Sequence, residues 1–382
     1  MATRVAFPPK LKARLKRTRS YDVYTSVRPK VENALLVGEI RVLKAVARSG
    51  LLASLYYGML SRRFDREHRA VVEGRIAYLS NISNGASSSP LLRRNTHRLE
   101  KGLIMRPRRP VFALDYIAET VDIYEKVLLA APEGECAANE VVWACDVLTS
   151  YFDACGSAPE LSRLRERFER LPRPKSTRPD AFQGFERRAP YTRGAMNGHE
   201  VTYEALLELA RRRRSVRWFQ DRPVDRALLD KAFDVARLAP TACNRLPYEF
   251  RVMDDPSLAR EAAKLAAGTA GYVHQIPTTI VVIGDLSAYF HERDRHLIYI
   301  DSSLATMSLL FALESLGLSS CCINWSDISW RERAMTRFLR TLPPYKRPIM
   351  LIAVGYADEA AQVPFSSKKE LEVLRSYNFE GH

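Results

Sequence analysis

Two stretches of sequence carry most of the information in this chain: RRSVRWF at residues 213–219 and APTACNRLPY at residues 239–248. The first places three arginines and a serine where a predicted helix ends in a loop, and guanidinium and hydroxyl donors suit a phosphate group. The second places the side-chain amide of Asn244 in a loop bounded by prolines, and an amide both donates and accepts hydrogen bonds. Together the two stretches indicate a phosphorylated, planar heterocyclic cofactor.

The surrounding sequence predicts an α+β domain over residues 201–382. Short runs rich in β-branched residues predict the strands of a central mixed sheet. Helical spacing of apolar residues predicts the flanking helices, and the longest of them is apolar and ends at Gly317. The predicted strands cover residues 249–253, 277–284, 319–324 and 348–356, and the predicted helices cover residues 203–214, 225–238 and 299–316.

The N-terminal half of the chain has a different composition. Residues 1–200 contain 35 of the 59 basic residues and 22 of the 44 acidic residues, so they carry +13 of the net charge of +15. We predict a basic, disordered arm (1–30), a mostly helical domain (31–171) with a polar break at 81–95, and a linker or wrapping segment (172–200). A basic surface attracts anionic polymers and lipids in general, and no motif predicts specific binding to nucleic acid.

Cysteine spacing and the start of the chain indicate the cellular compartment. The six cysteines form no CxxC pair and show no zinc spacing, which predicts a reduced protein without a metal site. No apolar segment follows Met1, so no signal peptide is expected and the predicted location is cytoplasmic. Within residues 42–60 the uncharged run is too short to span a bilayer. It is either a buried helix or a helix on an anionic membrane surface, and both interpretations remain open.

Residues 203–375 resemble the nitroreductase family of FMN-dependent oxidoreductases. The resemblance rests on five elements in the family's order, namely RRSVR, APTACNRLPYEF, IPTTIVVIGD, DSSLATMSLLFALESLGLSSC and RPIMLIAVGYAD. It implies FMN as the cofactor, NADH or NADPH as the electron donor, and transfer of electrons to an acceptor through flavin N5. It also implies an intertwined homodimer with each flavin at the subunit interface and the apolar helix 299–316 at its centre.

The resemblance also implies roles for individual residues. The FMN phosphate and ribityl chain would be bound by the arginine segment and a later lysine, the ring edge by Asn244, and flavin N5 would lie near the turn after the long helix. The implied cofactor-binding residues are Arg213, Arg214, Ser215, Arg217, Asn244, Ile323 and Lys368 or Lys369, and the candidate catalytic residues are Cys322, Asn324 and Trp325. Arg211 and Arg212 are expected to be a solvated helix end.

Several features depart from the family pattern and leave alternatives open. Leu246 stands where many members have an amide, so the pyrimidine edge of the flavin would be held differently. Trp325 either stacks on a ring or packs in the core, and Cys322 is either a redox group or a small buried hydrophobic residue. His97 in the stretch RRNTHRLEKGL (93–103) belongs either to a polar site or to a helix end capped by Gly102.

The substrate is predicted only as a class. The basic N-terminal half suits a bulky or anionic small molecule, including a glycan-type substrate. The alternative function is a flavin-binding scaffold protein that retains the fold without turnover, because Leu246 and the turn at residues 321–325 are unusual.

Overall fold

The computed structural model of the protein describes residues 37–84, 89–130, 138–174, 187–195 and 201–378. The predicted arm (1–30) and most of the predicted linker (172–200) lie outside the described residues. The chain divides into two compact units, residues 1–68 and residues 69–382.

The first unit is helical over its described residues. Residues 37–46 form helix α1, and Gly50–Leu55 form helix α2, which continues as a π-helix over Tyr56–Ser61. The Ser49 hydroxyl caps α2 by accepting a hydrogen bond from the Leu51 amide at 3.2 Å. No side chain of α2 or of its π-helical continuation is buried. Over the described residues the buried-helix interpretation of residues 42–60 is therefore wrong, because none of the side chains at 42–60 is buried there.

Helices also make up the N-terminal part of the second unit, which confirms the mostly helical prediction for this half. The largest core side chains include Leu92, Leu99, Tyr124 and Tyr151, each fully buried. Burial of side chains of this size stabilises a fold by about 1.5–3 kcal/mol each. The helices are α3 (Asp65–Asn84, which begins in the first unit), α4 (Pro90–Leu103), α5 (Ile117–Ala130), α6 (Ala138–Cys155) and α7 (Ser162–Glu169).

Helix α4 corrects two sequence-based expectations. The predicted polar break at residues 81–95 is too long, because α4 already begins at Pro90, where the Ser89 hydroxyl accepts a hydrogen bond from the Leu92 amide at 3.2 Å. Gly102 lies inside the last turn of α4 rather than beyond its end. A Cβ at this glycine would lie 2.2 Å from the Phe112 ring, so Gly102 is needed for close packing and not as a cap.

The C-terminal part of the second unit contains a four-stranded sheet with the order β1-β2-β4-β3. Every pair of neighbouring strands is antiparallel, and the one parallel contact within the described residues is an isolated bridge between Ser215 and Ser320. The α+β class is thus confirmed, but the described sheet is antiparallel rather than mixed. The strands are β1 (Tyr248–Met253), β2 (Thr278–Asp285), β3 (Ser319–Asn324) and β4 (Lys346–Gly355).

Helices cover both faces of this sheet, and alternate residues of a strand contribute to opposite cores. Ile280 and Val282 of β2 pack with helices α9 and α11, whereas Val281 and Ile283 pack with α10 and α12. The apolar run of β2 is therefore buried on both faces. The helices of this part are α8 (Tyr203–Arg212), α9 (Arg226–Ala236), α10 (Pro256–Leu265), α11 (Leu297–Ser315), α12 (Ser329–Phe338) and α13 (Leu371–Leu374).

The long helix α11 is apolar on more than one side. One side packs on the sheet through residues such as Leu309 and Leu313, and Gly317, with a φ of 77°, follows its end as predicted. Another side exposes Ile300 and Leu304 to solvent, 48% and 44% exposed. Among the described residues, the stretch around this helix is the one that is long and apolar enough to cross a membrane, but half of it is buried inside the fold.

Candidate functional site

The arginine segment is fixed against the edge strand β3. Helix α8 ends where the Arg213 amide donates to the Leu209 carbonyl at 3.0 Å. The chain then becomes extended, and the Val216 amide donates to the Ser320 carbonyl at 3.0 Å. Gln275 completes the arrangement, because its side-chain amide donates to the Arg217 carbonyl. The segment therefore lies beside the start of β3.

Positive charge is concentrated at this edge of the sheet. No hydrogen bond or ion pair joins the Arg213 guanidinium to any residue within the described ranges, so its charge is available to an anion. Desolvation raises the pKa of the Cys322 thiol to about 11, although Arg213 opposes the shift and part of the residue surface is open to solvent. Burial likewise raises the pKa of Cys321 against Arg217 and Arg213. Both groups are therefore neutral thiols at pH 7, which argues against a thiolate role for Cys322. The exposure of Cys322 also contradicts the expectation of a small buried hydrophobic residue.

A second basic surface is formed with the C-terminal segment. The Arg214 guanidinium donates to the Pro364 carbonyl at 2.9 Å and to the Phe365 carbonyl. These bonds place Lys368 on the wall of a cavity of about 710 Å³ that Arg211 and Arg214 also line. Lys369 is exposed and does not line that cavity, so the geometry favours Lys368 over Lys369.

Arg211 and Arg212 lie in the last turn of α8 and both are exposed, as expected for a solvated helix end. Arg211 also lines the same cavity as Lys368. Arg212 pairs with Glu314 at 3.0 Å.

The candidate catalytic residues of β3 and the turn after it point in different directions. Cys322 and Asn324 are exposed, whereas Ile323 between them is buried in the core. Trp325 is buried as well, and its indole N–H donates to Glu332 at 2.7 Å. This geometry supports the packing alternative for Trp325, while Cys322 and Asn324 remain accessible to a ligand.

The loop that carries Asn244 has an unusual backbone. Cys243, Asn244 and Leu246 have φ values of 54°, 51° and 48°, the left-handed region that non-glycine residues rarely adopt. Two hydrogen bonds to Thr241 hold this turn. Its carbonyl accepts from the backbone N–H of Asn244 at 3.0 Å, and its hydroxyl accepts from the backbone N–H of Leu246 at 3.2 Å. Asn244 thus has the turn-forming role that its residue type allows, and the ring contact of its side chain stays a prediction.

Two residues that support this loop carry no predicted role. Asp301 on α11 is 2% exposed and accepts hydrogen bonds from the Ala242 amide at 3.0 Å and the Tyr289 hydroxyl at 2.9 Å. Burial raises the pKa of its carboxyl above the ordinary value, although these two donors oppose the shift. Asp301 is one of two acids in a predicted apolar helix, a signal that could have identified it, because buried carboxylates need partners.

The other support comes from the helical N-terminal part of the second unit. Arg93 on α4 donates from its Nε to the Asn244 carbonyl at 2.7 Å. It lies in the stretch that the sequence marks by His97, but nothing in that stretch indicates this partner. His97 itself contacts Glu100 at 3.2 Å through its Nδ1, which agrees with the helix-surface alternative.

The structure therefore brings together some predicted residues and separates others. Arg213, Ser215 and Arg217 lie beside β3, and Arg214 lies beside the C-terminal segment of Lys368. Asn244 has other neighbours, Thr241 and Arg93, and no described hydrogen bond or ion pair joins it to the arginine segment.

Comparison with known proteins identifies the family of this chain. The sequence profile described as "Nitroreductase family" matches residues 210–272 and 265–356. The Methanothermobacter thermautotrophicus protein named "Putative NADH dehydrogenase/NAD(P)H nitroreductase" is 30% identical over 160 residues, which are 42% of this chain and 81% of that protein. Human "Iodotyrosine deiodinase 1" is 23% identical over 199 residues, 45% of this chain and 68% of that protein.

Solved structures are also similar. A nitroreductase family protein from Clostridium difficile 630 is 28% identical and has a TM-score of 0.38, covering 45% of this chain and 96% of that chain. The profile match spans the arginine segment, the Asn244 loop, β3 and β4, and the archaeal relative is aligned over most of its length. The chain therefore belongs to the nitroreductase family and is an oxidoreductase.

Proposed function

We propose that the protein is an FMN-dependent oxidoreductase that passes electrons from NADH or NADPH to a bulky or anionic acceptor through flavin N5. The observation that carries the proposal is the position of the arginine segment beside the start of β3, where Ser215 bridges to Ser320 and Arg213 lies near the exposed Cys322. The names of relatives support it in general terms, since one is named for NADH and NAD(P)H.

The residues of this chain fit an FMN molecule. Its phosphate carries about two negative charges near neutral pH, and Arg213 has no described anionic partner. The second basic surface, the cavity lined by Arg211, Arg214 and Lys368, measures about 710 Å³, within the range of ligand pockets. Near Arg213, outside that cavity, Cys322 presents an uncharged thiol.

In this proposal the chain binds and orients, and the bound FMN supplies the two-electron redox chemistry. Arg213 and Arg217 neutralise the phosphate, and the Ser215 hydroxyl is a further donor to it. Cys322 and Asn324 are exposed on one face of β3, and in this proposal the flavin ring binds against that face. Asn244 offers an amide that donates and accepts on the ring edge. No protein nucleophile is required.

A homodimer is part of this proposal. Asn244 and the arginine segment have different neighbours within one chain, so a flavin between two subunits would use one group from each. The exposed side of α11, which includes Ile300 and Leu304, supplies an apolar surface for the partner. Burial of such a surface drives association.

We further propose a peripheral contact between the first unit and an anionic membrane surface. Residues 1–68 contain 15 basic and 5 acidic residues, a net charge of +10. Leu51, Met59 and Leu60 are 69%, 72% and 78% exposed on an uncharged helical run of about 18 Å that is too short to cross a bilayer. Apolar side chains flanked by arginines are typical of helices that lie in the interface of anionic lipid.

The experiment that tests the FMN proposal is titration of apo protein with FMN, followed by flavin fluorescence. Arg213→Ala and Arg217→Ala should each weaken FMN binding roughly tenfold to a hundredfold, because each removes a charge-assisted hydrogen bond. Arg237→Ala is the matched control, since this arginine pairs with Asp234 on the surface at 3.0 Å. Wild-type protein that binds no FMN, or equal affinity in all four proteins, would refute the proposal.

The scaffold alternative is tested by rapid mixing of the FMN-loaded protein with NADH or NADPH. Reduction of the flavin by either donor, followed by reoxidation when an aromatic nitro compound or a quinone is added, supports the enzyme. Flavin that no donor reduces would favour the scaffold. The glycan-type substrate is tested by adding anionic sugar nucleotides as acceptors or as competitors.

A further inference from the structure

The loop from Thr241 to Leu246 is held from two sides. From inside the C-terminal part, Asp301 accepts from the Ala242 amide at 3.0 Å. From the helical N-terminal part, Arg93 donates to the Asn244 carbonyl at 2.7 Å. Cys243, Asn244 and Leu246 have left-handed backbone conformations, which persist only where the surrounding structure holds them in place. Both contacts therefore help to fix the orientation of the Asn244 peptide.

Arg93 is itself tightly positioned. Its Nη1 donates to the Glu140 carboxylate at 3.1 Å, and the two side chains are 18% and 7% exposed. Glu140 also accepts from the Ser89 amide at 2.9 Å, which links α6 to the start of α4. The guanidinium lies over the Trp143 ring, 5.4 Å from its centroid, and the Trp143 indole donates to Glu100 at 2.9 Å. A guanidinium fixed by a buried carboxylate and an aromatic ring has little freedom to move.

Arg93 and the residues that position it lie outside the part of the chain that matches the family profile. The profile covers residues 210–356, whereas Arg93, Glu140 and Trp143 lie far upstream of it. The partner of the Asn244 carbonyl is thus supplied by sequence outside the family region of this chain.

We propose that Arg93 is a positioning residue that fixes the Asn244 peptide, so that helices α4 and α6 set the geometry of the flavin-binding loop. This inference rests on the proposed FMN function for its consequence, but not for the ordering of the loop itself. The Arg93 guanidinium holds the Asn244 carbonyl toward α4, and this contact limits the directions in which the Asn244 side-chain amide can point. Loss of the contact should loosen the loop before it affects the rest of the fold.

The first test needs no flavin. Hydrogen exchange of apo protein is measured on a peptide covering residues 241–247, for wild type, Arg93→Gln and the control Arg98→Gln. Arg98 lies on the same helix, stacks on Tyr116 at 3.6 Å and has only an exposed contact with Asp115, so it does not reach the loop. Arg93→Gln should accelerate exchange in this peptide at least tenfold, and Arg98→Gln should not. Equal exchange in the two variants would overturn the proposal, whether or not FMN binds.

The second test asks whether Arg93 acts through Asn244. FMN affinity is measured for Arg93→Gln, Asn244→Ala and the double variant, which together form a double-mutant cycle. Each single change should weaken FMN binding roughly tenfold, and the double variant should be no weaker than Asn244→Ala alone. Arg93→Lys should restore part of the affinity because it keeps the charge and one donor.

The outcomes of the two tests separate the two proposals. Multiplied effects in the double variant, or full FMN affinity with a loosened loop, would overturn the positioning role. Wild-type protein that binds no FMN would instead refute the proposed function, and the exchange measurement alone would then decide whether Arg93 orders the loop.

Discussion

Replacement of Asp301 should destabilise the fold, because the buried hydrogen-bond donors that support the Asn244 loop would lose their acceptor. One carboxylate oxygen, Oδ2, accepts both from the Ala242 amide at 3.0 Å and from the Tyr289 hydroxyl at 2.9 Å. Asp301→Ala removes this oxygen and leaves two donors unsatisfied in a site that is 2% exposed at Asp301. Each unsatisfied buried donor costs about 1–3 kcal/mol, so the free energy of unfolding should fall by about 2–6 kcal/mol.

The matched control is Asp301→Asn. Because a single oxygen accepts both hydrogen bonds, the amide oxygen of asparagine can occupy the same position and accept both. We expect this variant to lose no more than about 1 kcal/mol. The assay is urea unfolding of the apo protein at fixed concentration, followed by tryptophan fluorescence. Asp301→Ala within about 0.5 kcal/mol of wild type, or Asp301→Asn as unstable as Asp301→Ala, would refute the reasoning.

The same residue predicts a pH dependence. The pKa of Asp301 is raised in the folded protein, chiefly by burial. An acid with a raised folded pKa stabilises the fold fully below its unfolded pKa, and this contribution is lost as the pH rises through the folded pKa. The stability of wild type relative to Asp301→Asn should therefore decrease between acidic and neutral pH. An unchanged difference over this range would contradict the pKa shift.

Three further predictions concern other surfaces. Burial raises the pKa of Glu249, but Lys346 and Arg251 together lower it by more than burial raises it, so the pKa lies below its ordinary value. Lys346→Met should therefore lower the free energy of unfolding by about 1 kcal/mol at pH 7, measured by urea unfolding. The difference in unfolding free energy between this variant and wild type should become smaller below about pH 4.5. Leu304→Arg should convert a dimer to a monomer in sedimentation experiments, because it places a charge on the exposed apolar side of α11. Leu60→Asp should reduce binding to phosphatidylglycerol vesicles at least fivefold, whereas Leu129→Asp, at a site 69% exposed on α5, should not.

Each of these three predictions has a contrary outcome. A pH-independent gap for Lys346→Met would show that the Glu249 pKa is not lowered by its neighbour. A Leu304→Arg variant that remains dimeric would move the interface away from α11. Wild-type protein that binds vesicles of phosphatidylglycerol and of phosphatidylcholine equally, or not at all, would remove the electrostatic contact with the membrane.

The sequence predicted the elements of the C-terminal part well because their signals are local. The apolar run 277–284 could only be a buried strand, and it corresponds to β2 at Thr278–Asp285. The helix predicted over 299–316 corresponds to α11 at Leu297–Ser315. The polar break predicted at 81–95 was too long. Helix α4 begins at Pro90 after the Ser89 cap, and a helix that begins in this way starts within polar sequence.

The exposed helix of the first unit shows a different limit. The sequence leaves both a buried helix and a membrane-surface helix open for its apolar residues, because residue type does not determine what packs against a helix. The α2 residues and their π-helical continuation contain no buried side chain. Exposure is a property of the folded chain, and it turned the second interpretation, a membrane-surface helix, into the one that can be tested.

By itself the sequence determined the α+β class, the family, the positions of the strands along the chain and the arginine segment, because these depend on residue type and on spacing along the chain. Only the tertiary structure decided that the described sheet is antiparallel, that Trp325 is bonded to Glu332 in the core, and that Lys368 rather than Lys369 lines the basic cavity. It also decided that Arg93 reaches Asn244 across 151 positions of sequence. Contacts between side chains so distant along the chain leave no local pattern, since they arise only when separate elements pack together.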